Sequence, residues 1–178
     1  MAGYGIGGST AAAELADLRP WPTPAAPISP DERLQRLDRA RALPREMGAQ
    51  ALLITAGASL RYFTGVAWGA TERLVALLLP VDGAPRMICP RFELGSLEAS
   101  LAIAAGIALW EEHENPCALA AAMLAELGAT RLALDPAAPF SVANGLAKTS
   151  PGLELLEAAP VVDGCRMTKA PAELALMA

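Results

Sequence analysis

Histidine occurs once in the 178 residues, at His113, and aromatic residues make up only 4%. A single histidine excludes His-His zinc motifs such as HExxH, and any Ser-His-Asp arrangement would have to use that one imidazole. No G-x-S-x-G occurs, and Ser59, Ser96, Ser100 and Ser141 have no histidine beside them in sequence. Cysteine is scarce as well. Cys89, Cys117 and Cys165 are odd in number and widely spaced, so they form neither a disulfide framework nor a CxxC pair. Free, buried thiols are expected, as in a reducing compartment; no basic segment followed by an apolar core opens the chain, and a cytoplasmic location is expected. Pro80, Asp82 and Glu93 interrupt the hydrophobic stretches, so none reaches the ~18 residues of a membrane span. Excess positive charge is missing too. The net charge is −5 and no basic stripe is interleaved with aromatics, which opposes nucleic-acid binding.

What is present is an apolar majority, 53% hydrophobic against 19% charged, dominated by alanine and leucine. That composition suits one packed domain, which at this size buries ~70% of its unfolded surface. Residues 1–28 read as an arm: a glycine cluster, a short alanine-rich helical stretch over 11–18, then Pro20, Pro22, Pro24 and Pro27. Ser29-Pro30-Asp31-Glu32 supplies a hydroxyl cap, a first-turn proline and a glutamate three residues after the cap, which together start a helix. Leu34, Leu37, Ala40, Leu43 and Met47 continue it as one apolar stripe to Gly48, and Pro44 predicts a kink or restart near Leu43.

Beyond Gly48, apolar runs alternate with helical segments, the pattern of an α/β fold. Strands are expected at 51–55, 74–79, 86–89, 107–110, 131–135 and 153–156, and helices at 92–101, 115–127 and 140–148. Asp82-Gly83 between the second and third strands is a hairpin signal and predicts an antiparallel pair. The last eight residues, from Pro171, begin an apolar helix without a stop signal, and a further domain is expected to follow.

Three constellations invite a chemical reading. Gly3-Tyr4-Gly5-Ile6-Gly7-Gly8 matches GxGxxG, but that fingerprint needs a strand before its first glycine and position 3 leaves no room for one, so a flexible N-terminus is expected rather than a dinucleotide site. In Trp110-Glu111-Glu112-His113-Glu114, strand alternation would set Glu111 and His113 on one face as an acid/base or two-ligand pair; a solvated acidic strand end is the alternative. No second cluster completes a three-ligand zinc site, so neither a metal ligand nor a catalytic residue is assigned in this chain. Residues 60–73 gather two arginines, three aromatics and two glycines between the first two strands. Tyr62 and Phe63 either plug the core beneath this loop or join its surface. Trp68 offers an apolar wall and Arg73 a bidentate carboxylate clamp, a means of gripping the end of a small peptide.

Residues 29–178 resemble the amino-terminal domain of the creatinase/prolidase family of metallopeptidases, in particular that of bacterial Xaa-Pro dipeptidases. Tyr62-Phe63-Thr64-Gly65 is similar to the family's Y-x-T-G passage, and Thr71-Glu72-Arg73-Leu74-Val75 leads into its next strand. Arg166-Met167-Thr168-Lys169-Ala170-Pro171-Ala172-Glu173-Leu174 resembles the R-x-x-K-S-P-x-E-[IL] junction, with Ala170 replacing the serine that would cap the following helix.

The resemblance implies a mixed, mainly six-stranded sheet with helices on both faces, a ribonuclease H-like motif. It implies an arm over 1–28, the domain over 29–165, and a junction at 166–178 leading into a C-terminal catalytic domain. In the family that second domain holds two divalent ions, Mn, Co or Zn, whose bridging hydroxide attacks the Xaa-Pro carbonyl; none of its ligands maps onto this chain. The amino-terminal domain is expected to be inactive alone, to pair subunits as a homodimer, and to cap the neighbouring active site over a dipeptide substrate. Trp68, Arg73, Tyr62 and His113 are the expected capping residues. The alternatives are a stand-alone interaction module, or the corresponding domain of an aminopeptidase P or of a creatinase- or ectoine-hydrolase-like enzyme.

Overall fold

An unbroken apolar run makes β1 (Ala51–Thr55) a strand buried at every residue, the mark of a central position in a sheet covered on both faces. In the computed structural model, which describes residues 8–20 and 24–177, β1 pairs antiparallel with β2 (Ala76–Pro80) and parallel with β5 (Arg131–Leu134). Outward from these, β3 (Arg86–Pro90) runs antiparallel to β2, β4 (Gly106–Trp110) parallel to β3, and β6 (Glu154–Glu157) parallel to β5. The order is β4-β3-β2-β1-β5-β6, a mixed six-stranded sheet as expected. Asp82-Gly83 does turn the β2–β3 hairpin, with Gly83 at φ +123°, where a side chain would be strained. Because β2 runs against its neighbours, the carboxyl ends of β1, β3, β4, β5 and β6 share one rim with the start of β2.

Helices follow in the order α1 (Ala11–Asp17), α2 (Pro30–Glu46), α3 (Ala58–Thr64), α4 (Leu94–Ser100), α5 (Pro116–Glu126), α6 (Phe140–Thr149), α7 (Ala159–Met167) and α8 (Pro171–Met177). Strand alternation sorts the core into two layers. Leu52 and Ile54 of β1 pack with Leu37 of α2, Phe63 of α3, Leu97 of α4 and Val161 of α7. Ala51 and Leu53 pack with Met123 of α5 and Leu146 of α6 on the opposite face. Each leucine buried this way contributes ~1.5–3 kcal/mol, and a one-residue slip of β1 would send every one to the wrong layer.

The expected caps are in place: Ser29 Oγ accepts from Glu32 N at 3.2 Å, and Asn115 Oδ1 from Cys117 N at 2.9 Å. Three expectations are corrected. Helix α2 does not restart at Pro44; the proline sits buried in its last turn, and the helix ends two residues later. The second strand starts at Ala76 rather than Leu74: the Leu74 carbonyl turns aside to accept from Trp110 Nε1 (3.1 Å), while Val75 O accepts from Ala56 N (3.0 Å) just past the last ladder pair, Thr55 with Ala76. Two short helices, α3 and α7, stand where no helix was expected; neither has a side-chain cap, and the one start signal between them is Pro160 in the first turn of α7.

Residues 28–170 form one compact unit, and the described residues of 8–27 and 171–177 belong to another. In the second unit, Thr10 Oγ1 caps α1 by accepting from Ala13 N at 3.2 Å, and Leu15, Leu18, Leu174 and Met177 are exposed. The GxGxxG match lies, apart from Gly8, outside the described residues. No described helix is long and apolar enough to cross a membrane.

Candidate functional site

The segment 65–75 reaches the rim from α3. Thr64 closes that helix: its Oγ1 donates to Leu60 O (2.7 Å) and accepts from Val66 N (3.1 Å). Gly65 follows at φ +87°, and a Cβ there would lie 2.8 Å from the Cβ of Ala102, so backbone and space both require glycine. Further along, the Arg73 guanidinium meets three carboxylate oxygens. Its Nε and Nη2 donate to Glu112 at 2.9 and 3.1 Å, and its Nη1 to Glu72 at 2.6 Å. Phe92 lies against it, ring centroid 5.4 Å from the guanidinium carbon.

The bond to Glu112 raises the arginine's pKa and holds the glutamate below the usual carboxylate range. Arg73, expected as an open clamp, therefore already grips a carboxylate of its own chain. The pair is exposed and so weakly held, which leaves the guanidinium available to a competing carboxylate. Beside it, Arg91 pairs with Glu111.

His113 is exposed in the turn between β4 and α5, next to Glu112 in sequence, so the Arg73–Glu112 pair brings its turn to the 65–75 segment. The expected sharing of a strand face by Glu111 and His113 does not occur, because β4 ends at Trp110 and alternation ends with it. Trp68 is half-buried and packs against the core layer of α2, α3 and α7 rather than standing free. Tyr62, placed among the capping residues by sequence, is a core residue. It is 9% exposed, its hydroxyl donates to Cys165 O at 2.7 Å, its ring meets Phe63 edge-on at 4.8 Å, and the Arg36 guanidinium lies 4.0 Å over its face. Arg36 is itself buried, donating to Tyr62 O (3.0 Å) and paired with Glu32.

The sequence did not single out Asp135 and Thr55, which meet where β1 and β5 end. The Asp135 carboxylate is buried, accepting from Ala137 N at 3.0 Å and Thr55 N at 3.3 Å. Burial pushes its pKa up, against the pull of those two N–H groups and of Arg166. The signal available was a charged residue closing an apolar strand. Thr55 Oγ1 is buried without a hydrogen-bond partner. The three cysteines are free and buried, and burial raises each thiol pKa, that of Cys89 to about 11. Among the described residues no three His, Cys, Asp or Glu side chains converge to hold a metal ion.

The family model described as the creatinase/prolidase N-terminal domain matches residues 36–168. In sequence the chain is similar to the probable dipeptidase PepE of Mycobacterium tuberculosis, 38% identical over 92 residues, which are 51% of this chain and 24% of that protein. The chain thus spans about a quarter of the length of the curated relatives it matches. The crystal structure of dipeptidase PepE from Mycobacterium ulcerans aligns with a TM-score of 0.70 and 30% identity over 84% of this chain and 40% of that one. The creatinase/prolidase N-terminal domain of an X-Pro dipeptidase from Streptococcus pyogenes aligns with a TM-score of 0.64 and 22% identity, covering 73% of this chain and 98% of that one, a likeness of fold.

Proposed function

Because the chain belongs to the creatinase/prolidase N-terminal domain family, we propose that it is the non-catalytic domain of a Xaa-Pro dipeptidase, pairing subunits as a homodimer and covering the neighbouring active site. The observation that carries this reading is the Arg73–Glu112 pair, which ties two rim segments together and presents a guanidinium whose partner a substrate carboxylate can replace. In this scheme residues 29–165 form the domain, residues 1–28 an arm, and residues 166–178 the junction to the catalytic part. The cleavage chemistry would be supplied there by two divalent ions, Mn, Co or Zn.

The contribution of this chain is positional. Arg73 would exchange Glu112 for the carboxylate of a dipeptide and so fix which end of the substrate enters, while the half-buried Trp68 would wall off water beside it. His113, exposed on the adjoining turn, would add a polar contact of smaller effect. A cytoplasmic setting suits free, buried thiols.

Steady-state kinetics of the full-length protein test the proposal. Arg73→Ala should raise KM for a Xaa-Pro dipeptide about tenfold, with a smaller change in kcat. Trp68→Ala should lower kcat/KM and relax selectivity for substrate length. Unchanged kcat/KM and selectivity in both variants would remove this rim from the active site, and a monomer in sedimentation analysis would remove the pairing.

A further inference from the structure

After β1 the chain turns into α3 on one face of the sheet, and after β5 it turns into α6 on the other. Adjacent parallel strands whose connections leave to opposite faces open a crevice outside their carboxyl ends, the position at which open α/β sheets take ligands. Beside it, at the end of β1, lies a cleft of about 30 Å³, its walls including Thr55, the segment 71–75 that leads into β2, and Pro139 and Ser141 at the start of α6. Space of that size accommodates about two water-sized atoms, the two oxygens of a carboxylate.

The cleft is rich in donors. Thr55 follows Ala51 and Leu53 in strand alternation and so shares their side of the sheet, the side of α6. It is 4% exposed, and its Oγ1 has no hydrogen-bond partner among the described residues, an arrangement that ordinarily destabilises a fold. Helix α6 is 10 residues long, and its N-cap Pro139 provides no side-chain acceptor, so the Phe140 and Ser141 N–H groups are among the orphan donors of its first turn.

The acidic groups nearby are already engaged: Asp135 accepts from Thr55 N and Ala137 N, and Glu72 from Arg73. A helix N-terminus with an unmatched buried hydroxyl beside it calls for an acceptor. We infer that the cleft at the end of β1, between the 71–75 segment and the start of α6, is a binding site for a small carboxylate, held by Thr55 Oγ1 and the first-turn N–H groups of α6. This inference concerns the chain by itself and does not rest on the capping reading.

Amide NMR of the full 178-residue chain provides the test. Sodium acetate should shift the Ser141 and Thr71 amide signals saturably, and sodium chloride at equal ionic strength should not. Glycylproline and its C-terminal amide separate the sources of the carboxylate. A response to the acid but not the amide makes a peptide terminus a ligand, and a response to acetate alone restricts the site to a small free acid.

Two variants remove one donor each. Thr55→Val deletes the unmatched hydroxyl and should weaken acetate binding about tenfold while leaving the melting midpoint unchanged or raised. Ser141→Pro removes the N–H of a residue that lines the cleft, in the first helical turn where proline is tolerated, and should weaken binding by a similar factor, read at the Thr71 amide. An absent or non-saturable shift with acetate, an equal response to chloride, or unchanged affinity in Ser141→Pro overturns the inference, even if Thr55→Val fails to fold.

Discussion

Two arginines, Arg36 and Arg73, each bind carboxylate and lie against an aromatic ring, yet they occupy opposite regimes. Arg36 is 2% exposed, sits over the ring of Tyr62, and belongs to a network in which α2, α3 and α7 share hydrogen bonds. Arg73 is on the rim, in contact with solvent, and its carboxylate partners are exposed. Burial makes the first arrangement a matter of folding, since groups there cannot fall back on water. Exposure makes the second dispensable for folding and therefore available to a ligand.

The sharpest way to break that contrast is to cut into the buried side. Tyr62→Ala should destabilise the chain by ~3–5 kcal/mol, read from urea denaturation, whereas Arg73→Ala should leave the denaturation midpoint close to that of the wild type. Equal losses in the two variants would mean that the rim is structural as well. Tyr62→Phe isolates the hydroxyl: with the ring retained and the Cys165 carbonyl deprived of its donor, ~1–2 kcal/mol should be lost. At the boundary between the regions, Gly65→Ala should cost about as much, ~1–2 kcal/mol for the left-handed backbone, before the approach to Ala102 is counted.

Asp135 sharpens the comparison through pH. Its carboxyl titrates higher in the folded chain than its ordinary value of 3.8, so folding favours the protonated form. The stability it contributes is fully present below that ordinary value and is lost as the pH rises through the folded one. Asp135→Asn leaves one of the two N–H groups without an acceptor, a loss of ~1–2 kcal/mol in acid, and this deficit should narrow as the pH rises from about 4 to 7. Urea midpoints of both proteins across that range are the measurement, and a deficit that widens with pH would reverse the assignment. The smallest effect is expected at Glu112→Gln. It should leave the midpoint unmoved and, in the full-length protein, lower KM modestly by freeing Arg73.

The hairpin at Asp82-Gly83, the capped starts of α2 and α5, and the all-apolar β1 could be read from sequence because each depends on residues adjacent in the chain. Helices α3 and α7 could not, since both are short, lack a side-chain cap, and are held by packing against Leu37, Leu52 and Ile54. The candidate site divides in the same way. Arg73 is visible as a cation in a loop, but its engagement by Glu112 spans 39 positions and depends on the sheet order. Whether Tyr62 plugs the core or joins the loop surface stayed open in the sequence because α3 was not foreseen, and the turn of that helix directs its ring into the core.

The sequence by itself determined the class of fold, the caps, the two-faced patterning of the strands and the family resemblance, since these reside in local composition and spacing. The tertiary structure alone decided which polar groups are buried and which are available. Thr55 and Asp135 come together across 80 positions only when β1 and β5 lie side by side, and burial, unlike helix periodicity, is a property of the whole packed chain.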